Sequence, residues 1–170
     1  MSEENVIYNK VAESSLITIN PEDFYPKDPI VVFDLKEFLF MGLILKEKDF
    51  RADLSGIDWE AYRNKNVAVT CSADAIIPVW AYMLIASYLQ PVATNMVMGN
   101  REQLIDHLIL KNIEALKADT YTDKRIVIKG CGELPIPESA YLEITAKLRP
   151  FVKSIMYGEP CSTVPVFKRK

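Results

Sequence analysis

The sequence predicts an α/β fold with a mostly parallel β-sheet flanked by helices, and three observations carry that reading. Four short runs of β-branched and apolar residues alternate with three helical patterns. The connections are short, so each strand–helix–strand passage reads as a right-handed crossover that leaves its two strands parallel. The chain has 170 residues, about one domain's worth, and a core of that size buries roughly 70% of the unfolded surface without disulfides.

The elements follow in order. Residues 1–62 form an irregular, β-containing N-terminal layer, with strands at Leu16–Ile19 and Ile30–Phe33 and a turn-rich stretch from Asn20 to Pro26 between them. Lys36 to Leu45 reads as helical, Lys46 to Arg51 as a solvated run of mixed charge, and Trp59 and Tyr62 as aromatic anchors on a short helix. Residues 63–170 form the alternating core. Asn66–Thr70 is a short buried strand. A helix from about Asp74 to Gln90, apolar nearly all round and so buried on more than one side, stops before Pro91. Thr94–Met98 is the next strand, and Gly99-Asn100 turns into a helix whose Asn100 and Gln103 have capping-box spacing. Leu104, Ile105, Leu108, Ile109, Ile113 and Leu116 make its apolar stripe. Arg125–Lys129 is a third strand, and Pro137 suits the first turn of a helix carrying Tyr141, Ile144, Leu148 and Phe151 on one side. Ser154–Tyr157 is a fourth, broken by Gly158-Glu159-Pro160-Cys161. With no internal repeat apparent and no Gly- or Ser-rich linker, the expectation is a single domain over 1–170.

Composition narrows the function classes. Apolar residues make up 49% and charged residues 25%, which excludes a disordered, collagen-like or small stapled secreted chain. The net charge is −3 and the one basic run is Lys168-Arg169-Lys170, so no nucleic-acid partner is expected. The longest apolar run, Ala75 to Ser87, contains Pro78 and falls short of the roughly 20 residues of a membrane span. Met1-Ser2-Glu3-Glu4 is acidic where a secretory leader is basic. The expected compartment is the cytoplasm, where thiols stay reduced. The single histidine, His107, excludes two-imidazole mechanisms within one chain and reads as a surface or boundary residue. No phosphate-binding glycine motif follows any strand, and Ser72, Ser162 and Thr163 lack a neighbouring base.

Sulfur is the remaining candidate. Cys71, Cys131 and Cys161 each follow a strand, and open parallel sheets bind ligands outside the carboxyl ends of their strands. The three strands are read as members of one sheet, so three thiolates with an oxygen from Asp74 or Glu159 complete a tetrahedral zinc or iron site, or hold an iron–sulfur cluster. Cys71 also stands just before the long helix as predicted, where the helix dipole lowers a thiol pKa. The plainer alternative is that cysteines at strand ends pack as small hydrophobes. Asp34, at the end of a strand, reads first as a helix N-cap.

The stretch Thr70-Cys71-Ser72-Ala73-Asp74-Ala75-Ile76-Ile77-Pro78, followed by Trp80-Ala81-Tyr82-Met83-Leu84, resembles a signature of a bacterial family, the domain of unknown function numbered 2480. Gly42 to Arg51, Lys129-Gly130-Cys131 and Gly158 to Pro165 are similar to that family as well, so the resemblance runs over nearly the whole chain. It implies no assigned activity. Genes of its members often neighbour those for iron–sulfur cluster assembly, which implies partners among iron–sulfur assembly proteins. The reading that follows is a metal-binding accessory protein with Cys71, Cys131, Cys161 and Asp74 or Glu159 as ligands of zinc, iron or a cluster. The alternatives are a thiol enzyme or persulfide carrier using Cys71, with Lys129 or the helix dipole lowering its pKa, and a non-catalytic interaction protein with structural cysteines. A homo-oligomer is left open.

Overall fold

The structure, a computed structural model, describes residues 16–159 and 161–170. The acidic opening of the chain and Pro160 lie outside the described residues. The fold is mixed α/β, with four α-helices and seven strands among the described residues, arranged in two sheets. The strands are β1 (Leu16–Ile19), β2 (Ile30–Asp34), β3 (Asn66–Thr70), β4 (Asn95–Met98), β5 (Arg125–Ile128), β6 (Ser154–Glu159) and β7 (Ser162–Lys168). The helices are α1 (Glu47–Ser55), α2 (Val79–Leu89), α3 (Arg101–Glu114) and α4 (Glu138–Leu148).

The expected single sheet is two. One has the order β2-β3-β4 and is wholly parallel; the other has the order β1-β5-β6-β7, parallel except that β7 returns antiparallel to β6. Local pattern marks each strand correctly but carries no information on which strands pair. Leu16 pairs with Arg125, and Ile30 with Asn66, so the segment before residue 62 supplies an edge strand to each sheet. Two compact units result: a three-stranded unit of residues 26–108, and a four-stranded unit of the described residues up to 25 together with 109–170.

Three further expectations are corrected. The long helix begins at Val79 instead of about Asp74, because Pro78 disfavours helical geometry at Ile77 and itself occupies the N-cap. Lys36–Leu45 is not a helix: a single 3-10 turn spans Leu35–Phe38, and a tight turn with Met41 and Gly42 at positive φ follows. The charged run from Lys46 opens α1, whose Phe50 and Leu54 are buried on the three-stranded unit's core. The Asn100–Gln103 capping box forms with both bonds at 2.9 Å.

The two units repeat one another, which the sequence reading missed. At a constant offset of 59 residues, the distance from Pro78 to Pro137, α2 overlies α4, β3 overlies β5 and β4 overlies β6. Ile77, Pro78, Ala81, Tyr82, Ile85, Leu89, Pro91 and Gly99 recur as Ile136, Pro137, Ala140, Tyr141, Ile144, Leu148, Pro150 and Gly158. The backbone bonds recur too: Asn64 N–H to Val92 O at 3.0 Å matches Asp123 N–H to Phe151 O at 3.0 Å. Asn64 and Asp123 share the left-handed conformation, with φ of 57° and 59°. The buried set Ala81, Ile85 and Leu89 matches Ala140, Ile144 and Leu148, in each helix a stripe four residues apart facing the core. Burying each Ile or Leu of that stripe contributes about 1.5–3 kcal/mol. β2 and β1 correspond likewise, since Asp34 and Asn20 each N-cap a following 3-10 turn.

Candidate functional site

The carboxyl edge of the four-stranded sheet holds the site. β1 ends at Ile19, and Asn20 caps the 3-10 turn Pro21–Phe24 by accepting the Glu22 N–H at 3.3 Å. That bond turns Glu22 back over the end of β5, where its Oε1 accepts the Leu134 N–H at 2.7 Å and its Oε2 the Asn20 amide at 3.4 Å. Gly132 leaves room for this carboxyl, because a Cβ at that position would push it aside. Gly130 leaves room for a second side chain. A Cβ there would lie 2.6 Å from the Tyr157 ring, whose hydroxyl donates to Gly130 O at 3.3 Å. Between the two glycines, Cys131 donates its S–H to Glu159 Oε1 at 3.1 Å. Tyr141, on the first turn of α4, meets Tyr157 edge-on at 5.8 Å.

These elements enclose an open cavity of about 230 Å³ lined by Asn20, Glu22, Lys129, Cys131, Leu134 and Tyr141, among others. Its electrostatics follow from the geometry. The Leu134 N–H, outweighing partial burial, with help from Asn20, the Glu133 N–H and Lys129, holds the Glu22 carboxyl below its ordinary value. The Cys131 thiol is pushed up, first by its hydrogen bond to Glu159, then by that carboxylate's charge and by burial; Lys129 opposes this and Glu22 adds to it. Burial, with the charges of Tyr157, Glu22 and Cys131, raises the Tyr141 phenol. The cavity therefore carries the ionised Glu22 carboxylate beside a thiol and a phenol that keep their protons.

This arrangement overturns the metal-site reading. Among the described residues no group of three or more His, Cys, Asp and Glu side chains could hold a metal ion, and the three cysteines do not come together. Cys71 belongs to the three-stranded unit; it is half-buried against that unit's core, with Sγ 3.6 Å from Ala73 O. Asp74 is exposed in the same unit. Cys161 is exposed at the turn between β6 and β7. Of the five predicted ligands only Cys131 and Glu159 meet. Cys71 is also eight residues before the first residue of α2, too far for the helix dipole, which acts within one turn. His107 is exposed on α3 as expected, and Asp34 is the N-cap expected, accepting the Lys36 and Ser72 N–H groups at 3.0 Å each.

Sequence reasoning missed Glu22, Tyr141 and Tyr157. The signal for Glu22 was present in Asn20-Pro21-Glu22, where an N-cap followed by Pro fixes the carboxylate two residues on. The signal for Tyr141 was its recurrence at Tyr82. No helix among the described residues is long and apolar enough to cross a membrane.

No curated protein and no solved structure matches the chain. A family model described as a protein of unknown function (DUF2480) matches residues 5–169. That match covers nearly all of the sequence, and the chain belongs to the DUF2480 family.

Proposed function

We propose that the four-stranded unit binds a small cationic amine in the Glu22 cavity and does not transform it. The observation that carries this is the Glu22 carboxylate, fixed on the cavity wall by the Leu134 N–H at 2.7 Å and held ionised. A second carboxylate, Glu159, stands behind Cys131, so the field favours a positive charge; Lys129 offsets one of the two. Carboxylates prefixed by backbone donors lose little entropy on binding an ammonium group, whose three N–H donors they can accept. Catalysis has no support from the groups present. The thiol is held protonated by Glu159, and no imidazole lines the cavity to activate it.

A cytoplasmic location suits this reading, because two of the three cysteines are exposed as free thiols and a reducing compartment keeps them so. The test is thermal melting with putrescine, a compact diamine, against glutarate, a diacid of similar length. Putrescine should raise the melting temperature and glutarate should not. Glu22→Gln keeps an oxygen for the Leu134 N–H and should abolish the effect. Equal shifts from both compounds, or an undiminished shift in the variant, would sink the proposal.

A further inference from the structure

The amino edge of the four-stranded sheet, opposite the Glu22 cavity, gathers positive charge. β7 runs antiparallel to β6 and pairs Lys168 with Ser154, so its last residues reach the edge where β6 begins and α4 ends. There Arg149, Pro150, Phe167, Lys168, Arg169 and Lys170 line an open cavity of about 430 Å³, with no Asp or Glu side chain among them. Backbone bonds bring two more exposed lysines to this edge: Arg169 N–H donates to Lys153 O at 2.9 Å, and Lys153 N–H to Lys124 O at 2.8 Å. In a chain of net charge −3, that is a local concentration of the opposite sign.

Both guanidinium groups are held in place, and neither is used up. Arg169 donates from Nη1 to Asp123 Oδ1 at 3.0 Å and from Nη2 to Pro150 O at 2.8 Å, which leaves its remaining N–H donors unspent. Arg149 lies over the Phe167 ring, with Cζ 4.9 Å from the centroid. Stacking occupies the face of a guanidinium and leaves its in-plane N–H donors for a ligand. The carbonyls at the end of α4 are answered within the chain: Leu148 O accepts from the Phe151 and Val152 N–H groups, and Pro150 O from Arg169.

The fold does not require these cations. At the 59-residue offset Arg149 corresponds to Gln90 and Lys153 to Thr94, although Pro150 and Pro91 are kept. Among the described residues the three-stranded sheet ends at β4, with no strand in the place of β7, which brings Lys168, Arg169 and Lys170. One repeat thus ends the same helix without a basic cavity.

We infer that this cavity binds a short chain of phosphoryl groups, at a second site independent of the Glu22 cavity. Four cations lining one small space call for a ligand that packs several negative charges closely, and guanidinium forks match phosphoryl oxygens two at a time. About 430 Å³ is the room of about fourteen waters at about 30 Å³ each, which suits the thirteen or so non-hydrogen atoms of tripolyphosphate. A nucleoside attached to such a chain would project through the open mouth.

Isothermal titration calorimetry of the full chain with tripolyphosphate tests this, in about 0.15 M NaCl, where diffuse attraction is screened beyond about 8 Å. The expected Kd is tighter than about 1 mM, which thirteen or so atoms reach at the low end of small-ligand efficiency. Arg149→Gln installs the residue that the other repeat carries, so the fold is retained, and it should weaken binding by at least about tenfold. Arg169→Gln should do the same, whereas Arg51→Gln removes an equal charge from α1 and should change nothing. Magnesium-free ATP decides the source: binding at least as tight as tripolyphosphate assigns the site to a nucleotide's tail, and weaker binding to a free oligophosphate. The inference is overturned if tripolyphosphate does not bind, if the double Arg149→Gln, Arg169→Gln variant binds it undiminished, or if Arg51→Gln weakens it equally. Citrate bound as tightly as tripolyphosphate would replace phosphate by a tricarboxylate and overturn it too. A single-stranded oligonucleotide bound more tightly than either phosphate compound would assign the cavity to nucleic acid, with the same consequence.

Discussion

The amine-binding proposal can be given a magnitude from the size of its cavity. About 230 Å³ holds the equivalent of seven or eight waters at about 30 Å³ each, so putrescine, with its six or so non-hydrogen atoms, fits. Small ligands gain between about 0.3 and about 1.5 kcal/mol per non-hydrogen atom, and an open cavity belongs in the lower half of that range. At about 0.7 kcal/mol per atom the binding free energy is about 4 kcal/mol, a Kd of about 1 mM. Ligand at about ten times Kd then stabilises the folded chain by about 1.4 kcal/mol. For a chain of this size that raises Tm by about 3–6 °C. The assay is differential scanning fluorimetry at matched ionic strength, because salt screens any diffuse attraction of a diamine to a chain of net charge −3. Glu102→Gln removes the same charge from the exposed start of α3 and is the control. The expected result is a full shift in the wild type and in Glu102→Gln, with none in Glu22→Gln. A shift lost equally in both variants would mean net charge, not the Glu22 site, drives the effect, and the reasoning would be refuted.

Other expectations follow from the same geometry. Glu22 has a folded pKa below its ordinary value, so it contributes stability and amine binding above about pH 4.3, both lost only as pH falls through the lower folded pKa; a putrescine titration that already fails at pH 6 would contradict this. Cys131 is exposed yet held as a thiol by Glu159, so iodoacetamide should modify it more slowly at pH 7.5 than a small free thiol of pKa about 8.5, and Glu159→Gln should accelerate it, as read by peptide mass spectrometry. Ile85→Ala and Ile144→Ala occupy equivalent, fully buried positions of the two repeats and should each cost about 2–5 kcal/mol in urea unfolding. Costs differing by more than about 2 kcal/mol would show that the repeats bury that position differently.

Much of the fold was legible because strand and helix signals are local. Val67, Ala68 and Val69 announce β3, and Asn100 with Gln103 announces the start of α3, without reference to anything distant. Pairing is not local. The strand that completes the four-stranded sheet at its other edge is Leu16–Ile19, whose partner begins at Arg125, and no periodicity records that choice. The repeat was hidden for a related reason. Strand positions exchange one β-branched residue for another, Val67 for Ile126 and Val69 for Ile128, which preserves burial while erasing identity. What survives as identity is what backbone geometry and tight packing require: the prolines flanking each helix, Gly99 and Gly158 at φ of 144° and 120°, and Ala81 and Ala140 with no exposed surface. The cysteines misled because all follow strands, and that shared position was taken for a shared place.

Comparing the repeats separates what a residue does for the fold from what it does at the edge. Cys131 aligns with Ser72, and each answers a carboxylate by a different route: Ser72 offers its N–H and side chain to Asp34, the N-cap following β2, whereas Cys131 turns to Glu159 at the end of β6. In the three-stranded unit, burial pushes Asp34 up, but the Ser72 side chain and the Lys36 and Ser72 N–H groups outweigh it, and the carboxylate is consumed by capping. In the four-stranded unit the cap is the uncharged Asn20, which leaves Glu22 as a carboxylate that the turn does not need. The residue two after the cap is Lys36 in one unit and Glu22 in the other, and that exchange is what places a negative charge on the cavity wall. Thr70-Cys71-Ser72-Ala73, aligned with Lys129-Gly130-Cys131-Gly132, shows the companion change: two glycines open the strand end and admit Tyr157 and Glu22, where Cys71 and Ala73 carry side chains. Restoring the first pattern should close the site. Gly130→Ala and Gly132→Ala would drive Tyr157 and Glu22 from their places, and putrescine should then leave the melting temperature unmoved in either variant.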